Sequence, residues 1–136
     1  YRQSPVWRGG GIVFGPRPRD YRKHVNKKVG RLAFRRVLSE RITGGGVSVV
    51  ESFDIDAPKT RQFVTLLDAL KVDRPVLVVA DRLDENLALA ARNVIGVETE
   101  LASDVNVYQV LRHPRMLVNR AGLETLRQRL GNGGDA

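Results

Sequence analysis

Five apolar residues stand side by side at Val76-Leu77-Val78-Val79-Ala80, and that run constrains the fold more than any other stretch of the chain. An unbroken apolar pentad has no polar side to offer to water, so it reads as a strand covered on both faces, as in a parallel sheet between layers of helices. The flanking sequence agrees. Val47 to Glu51, Val97 to Leu101 and Met116 to Asn119 read as further strands. Asn26 to Ile42, Lys59 to Leu70, Leu83 to Asn93, Val105 to Leu111 and Ala121 to Leu130 read as helices. Alternation of this kind predicts right-handed crossovers and a three-layer α/β sandwich with a mainly parallel sheet. Asp56 is the expected N-cap of the second helix, with Pro58 tolerated in its first turn. A chain of 136 residues is long enough for one core and too short for two. The expected organisation is an extended arm over 1–25, one α/β domain over 26–130 and a frayed glycine-rich tail over 131–136.

Charge is distributed unevenly along this frame. Of 23 Lys and Arg and 15 Asp and Glu, the stretch ending at Arg41 holds 12 basic and 2 acidic residues, a net +10. The remainder holds 11 basic and 13 acidic residues, a net −2. An excess confined to one segment is the pattern of an arm that neutralises phosphates, whereas an even excess would speak only to solubility. Within residues 26–42, Lys27, Lys28, Arg31 and Arg35 fall inside a 100° arc at helical spacing and form a basic ridge. Val29, Ala33, Phe34 and Val37, widened by Leu32, Leu38 and Ile42, supply the apolar side that docks the helix. A merely solvated charged face is the alternative for the ridge.

The arm lacks helical or strand periodicity and holds the parts with which proteins grip structured RNA. Arg2, Arg8, Arg17, Arg19, Arg22 and Lys23 are cations for phosphates, and Tyr1, Trp7, Phe14 and Tyr21 are faces for unstacked bases. Gly9, Gly10, Gly11 and Gly15 let the backbone approach closely. The competing reading is that Trp7, Val13 and Phe14 only anchor the arm to its own domain. No stretch approaches the roughly 18 apolar residues of a membrane span, and no membrane partner is expected. With no cysteine and two histidines, His24 and His113, the chain is poorly equipped for metal chemistry, and no cofactor is expected. The lack of cysteine also leans toward an intracellular compartment.

A parallel α/β sheet makes a nucleotide- or phosphate-ester-processing enzyme the natural rival, because such folds bind ligands at the carboxyl ends of their strands. The glycine signals do not fit it. Gly10 and Gly15 are followed by Pro16 where a phosphate-binding loop needs lysine, and Gly44 to Gly46 precede a strand instead of a helix. Asp81, Asp84 and Glu85, just past the apolar pentad, are the carboxylates such an enzyme would use. Asp81 or Asp84 also suits capping of the next helix, and that role is expected. Ser39, Ser48 and Ser103 have no neighbouring histidine, and His113, before Pro114 at a helix end, reads as a helix-dipole partner or surface residue more readily than as a base. No small-molecule substrate is expected. An adaptor domain that binds only protein is a third reading.

The run from Ser4 to Tyr21, SPVWRGGGIVFGPRPRDY, followed by Asn26-Lys27-Lys28, closely resembles the bacterial L-four family of large-subunit ribosomal proteins. Ala57 to Thr60, Asp84 to Leu87, Ala90 to Asn93 and Asp104 to Leu111 look like the same family in the same order. The resemblance implies a Rossmann-like domain with no catalytic activity, whose long loop enters ribosomal RNA and reaches the wall of the peptide exit tunnel. Tyr1 to Arg22 would be the returning half of that loop, and the first residue is not Met, so a preceding strand, helix and half-loop are expected to be missing. A missing strand would leave a sheet edge or the core incomplete. Implied partners are large-subunit ribosomal RNA and neighbouring ribosomal proteins, in a cytoplasmic or organellar ribosome; Asp54, Asp56 and the other acidic surface residues are candidates to face such neighbours, which the sequence does not identify.

Overall fold

The computed structural model describes residues 4–55 and 57–131. The expectations placed on Tyr1, Arg2, Asp56 and the 132–136 tail lie outside the described residues. In chain order the elements are α1 (Lys27–Thr43), β1 (Val47–Val50), α2 (Thr60–Ala69), β2 (Val76–Ala80), α3 (Glu85–Arg92), β3 (Val97–Leu101), α4 (Val107–Arg112), β4 (Arg115–Asn119) and α5 (Arg120–Gly131).

The four strands form one sheet in the order β1-β4-β2-β3, every pair parallel. The apolar pentad is the inner strand β2, flanked by β4 and β3 with Leu77 opposite Met116 and Glu98. Its five residues are each 1% exposed or less, which only a two-sided cover produces. The pleat divides them between two cores. Val76, Val78 and Ala80 pack with Phe63 and Leu67 of α2 and with Leu87, Ala90 and Ala91 of α3. Leu77 and Val79 pack with Phe34 and Leu38 of α1, Val110 of α4 and Leu126 of α5. The three-layer α/β sandwich expected from the sequence is therefore present.

Several local readings are corrected. Helix α1 buries Phe34 and Leu38 alone, while Val29, Leu32 and Ile42 are more than half exposed. One helix resting on a sheet face buries a narrow stripe, so the broad apolar side does not materialise. Helix α4 starts at Val107 instead of Val105 because Asn106 and Gln109 form a capping box. The Gln109 backbone N–H donates to Asn106 Oδ1 at 2.9 Å, and the Asn106 N–H donates to Gln109 Oε1 at 3.0 Å. Asp84 occupies the N-cap position of α3 without a side-chain cap hydrogen bond. Asp81 caps nothing there either, since its Oδ1 accepts from Thr125 Oγ1 of α5 at 2.7 Å. His113 is no surface residue: it is 4% exposed, with Nδ1 3.0 Å from the Gln109 carbonyl oxygen and Nε2 3.6 Å from Glu98. Arg112 and His113 both face Glu98, whose carboxylate, with that of Glu100, accepts from Gln109 Nε2. Carboxylates on the edge strand β3 oppose pairing with another chain.

At the head of α5 the chain passes close to itself. Asn119 Oδ1 accepts from the Gly122 N–H at 2.7 Å and the Asp81 N–H at 3.2 Å, tying the ends of β4 and β2 together. A Cβ on Gly122 would lie 2.4 Å from that oxygen and 3.1 Å from the Asp81 nitrogen. Gly122→Ala is therefore expected to cost about 1–3 kcal/mol, the range for overpacking a tight site. Urea unfolding checks it; a change within experimental error would mean that the loop gives way freely.

Candidate nucleic-acid interface

Upstream of α1, residues 4–26 contain no helix or strand. Local hydrogen bonds shape the first part: Trp7 N–H donates to the Ser4 carbonyl at 3.0 Å and Gly10 N–H to the Trp7 carbonyl at 2.9 Å, making two consecutive turns. Gly9 has φ 77°, and a Cβ on Gly10 would sit 1.9 Å from the Ser4 carbonyl oxygen, so this double turn requires the glycines. Gly11 and Gly15 follow in open chain. Trp7 is 66% exposed and Phe14 92%, with Val13 also open to solvent. The reading in which these residues anchor the arm on its own domain is thus not what the fold adopts.

The cations of the arm are not equivalent. Arg8, Arg17 and Lys23 are exposed. Arg19 lies over the Tyr21 ring, 4.5 Å from its centroid, a guanidinium on an aromatic face. Arg22 grips Asp20, with Nε 2.9 Å from Oδ2, Nη2 2.9 Å from the same oxygen, and its backbone N–H donating to Oδ1 at 2.9 Å. The Arg22 side chain, and then its backbone N–H, hold the Asp20 carboxyl below the usual aspartate range. A depressed folded-state value means that the contact is present above the unfolded-state value and is lost only as pH falls through the lower one. Carboxyl-carbon NMR should find Asp20 titrating below an ordinary aspartate, and Arg22→Ala should return it to the ordinary range; an unmoved titration would show the contact to be too transient to matter.

The arm runs directly into α1, and there the structure gathers the ridge. Lys27, Arg31 and Arg35 line one groove of about 600 Å³ between α1, the loop before α4 and the end of α5. Lys28 is exposed but does not line it. Arg35 reaches across to hydrogen-bond the Leu130 carbonyl oxygen near the end of α5 through Nη2. One further cation on this surface was not anticipated from the sequence: Arg129, whose Cζ is 4.9 Å from the Phe34 ring centroid. Its Nη1 donates to the carbonyls of Ala102 at 3.2 Å and Val105 at 2.9 Å. Arg129 sits in the charge-balanced part of the chain, so composition held no signal for it; only the packing of α5 beside α1 brings it to the ridge. Arg41 was likewise unmarked, and it ties α1 to α4 through the Val110 and Leu111 carbonyls at 3.1 and 3.0 Å.

At the carboxyl ends of β1, β2 and β4, where the rival enzyme would bind its ligand, there is a smaller cleft of about 240 Å³. Among the described residues, Asp54, Asp81 and Asp84 line it against a single cation, Arg82. Three carboxylates repel phosphate, and Asp81 is already bonded to Thr125. Among the described residues no group of three or more His, Cys, Asp or Glu is arranged to hold a metal ion, and no helix is long and apolar enough to cross a membrane.

Comparison with known proteins gives a consistent result. The sequence profile described as the ribosomal protein L4/L1 family matches residues 1–129. The large ribosomal subunit protein uL4 of Heliobacterium modesticaldum is 42% identical over 118 residues, 87% of this chain and 57% of the relative. The protein of the same name from Nitratidesulfovibrio vulgaris is 38% identical over 128 residues, 94% of this chain and 62% of the relative. That of Desulforudis audaxviator is 42% identical over 118 residues, with 87% and 57% covered. The chain thus spans roughly three-fifths of the length of the curated relatives it matches.

Proposed function

Because the chain belongs to the ribosomal protein L4/L1 family, we propose that it is a structural constituent of the large ribosomal subunit that binds large-subunit ribosomal RNA and supports its assembly. The arm over 1–25 acts as the RNA-gripping strap and the α/β domain over 26–130 as its anchor, near the peptide exit tunnel of a cytoplasmic or organellar ribosome. The relatives that share its sequence carry the name of a large-subunit protein. The observation that carries the reading is a run of exposed cations, Arg8, Arg17 and Lys23, on an arm that leads directly into α1, whose Lys27, Arg31 and Arg35 line a groove. Guanidinium and ammonium groups in such a row neutralise successive phosphates, and exposed Trp7 and Tyr21 offer rings to unstacked bases. Arg2 and Arg22 belong to the same proposed contact set, as do the backbone at Gly9, Gly10 and Gly11 and the side chains of Arg19 and Lys28.

Nothing favours a phosphate-ester reaction at Asp81 and Glu85 over this reading. The cleft beside Asp81 is acidic, and the family is one of ribosomal proteins, not an enzyme class.

The test is titration of the chain with a large-subunit ribosomal RNA transcript at increasing salt. If Z phosphates are contacted, log K should fall linearly with log salt at about −0.7Z to −0.9Z. Affinity no greater than for an unrelated RNA of equal length, or no slope, would contradict the proposal. So would binding of a ribosomal protein with RNA removed as the only detectable interaction.

A further inference from the structure

The groove beside α1 is more than a continuation of the basic ridge, because one of its cations is held rigidly. A free arginine loses rotamer freedom when it binds; Arg129 has lost it in folding. Its Nη1 is fixed by two carbonyls, those of Ala102 and Val105, and one face of its guanidinium lies on the Phe34 ring. Arg129 nevertheless remains exposed and lines the groove, so a preset planar cation is accessible to a ligand there. Lys27, Arg31 and Arg35 surround the same groove, and among the described residues no carboxylate lines it. Val105, Val107 and Leu130 add an apolar wall. The volume of about 600 Å³ lies within the span of roughly 300–1,000 Å³ typical of small-ligand sites.

We propose that this groove receives one unstacked nucleotide of the bound RNA, its base laid on the outer face of the Arg129 guanidinium and its flanking phosphates on Lys27 and Arg31. The inference rests on the reading that the chain binds ribosomal RNA, and it specifies the form of that RNA. In a duplex the base faces are covered by their neighbours, so only a splayed-out base reaches a guanidinium plane. Lys27 and Arg31 are one helical turn apart on α1 and present two cations to the same strand. The groove opens where the arm joins α1, which selects RNA already held by the arm over a free mononucleotide.

Two variants test this with the large-subunit transcript as ligand. Gly30 lines the groove, and a Cβ there meets nothing within 4 Å, so Gly30→Leu adds apolar bulk to the groove with no clash at its Cβ and no change of charge. Arg129→Lys keeps the charge and loses the plane. Each is expected to weaken transcript binding by about 5- to 150-fold, the worth of one stacked base, with the salt slope unchanged. Lys27→Ala with Arg31→Ala should instead flatten the slope. Should Arg129→Lys melt early, Gly30→Leu alone decides. Wild-type affinity in Gly30→Leu would overturn the nucleotide site while leaving RNA binding intact. Adenosine monophosphate binding that Gly30→Leu abolishes, with transcript binding unaltered, would reassign the groove to a free nucleotide and equally overturn it. Absence of transcript binding by the wild-type chain would defeat the functional reading itself, a distinguishable result.

Discussion

Replacing Lys27, Lys28, Arg31 and Arg35 together with alanine is expected to lower affinity for a large-subunit ribosomal RNA transcript by about a thousandfold at about 0.1 M salt. The figure follows from counterion release. Each phosphate contact contributes about 0.7–0.9 to the salt slope, so between roughly 1 M and 0.1 M salt each is worth about a factor of six, and four multiply to the order of 10³. The slope should become shallower by about 3, a readout that misfolding does not mimic. Alanine raises helix propensity at all four positions, which offsets the loss of surface contacts such as the Arg35 bond to the Leu130 carbonyl. The melting temperature should therefore move little. Unchanged affinity would remove the ridge from the interface and leave the arm as the sole contact.

Phe63→Ala should have the opposite profile, a loss of about 3–5 kcal/mol in stability with no change in the salt slope of whatever RNA binding survives. Phe63 has no exposed surface and packs with Val76, Val78 and Leu87 in the core between the sheet and helices α2 and α3. Truncating it removes apolar burial and leaves a cavity that close-packed neighbours cannot refill. Val49→Ala on the edge strand β1 is the natural control, since a side chain 53% exposed should cost well under about 1 kcal/mol. Denaturant unfolding of both variants checks the pair. A cost for Phe63→Ala no larger than that for Val49→Ala would mean that the two-sided core is not what holds the domain together.

The fold was legible because its decisive signals are local in the sequence. An apolar pentad between turn-forming residues admits few structures, and the alternation of elements around Val76–Ala80 narrows them to a layered parallel sheet. Errors gathered where a third element intervenes. Val29, Leu32 and Ile42 have the right period for a wide apolar face, yet α1 meets the core through the narrow stripe of Phe34, Val37 and Leu38. Asp81 looked like a cap until Thr125, 44 residues on, supplied it with a partner. The basic ridge could be read in the same way, since Lys27, Arg31 and Arg35 share a helix face by periodicity alone and line one groove. Arg129 could not be read, because its place beside Phe34 depends on two helices that are distant in sequence meeting over the sheet.

The claim that the cationic strap and groove lie against ribosomal RNA is tested most directly by a cryo-EM map of the large subunit that contains this protein. The account predicts nucleotides within hydrogen-bonding distance of Arg8, Arg17, Lys27 and Arg31, and a ring of Trp7 or Tyr21 in contact with a base. A map in which those side chains face open solvent, with RNA meeting the acidic cleft beside Asp81 instead, would contradict it.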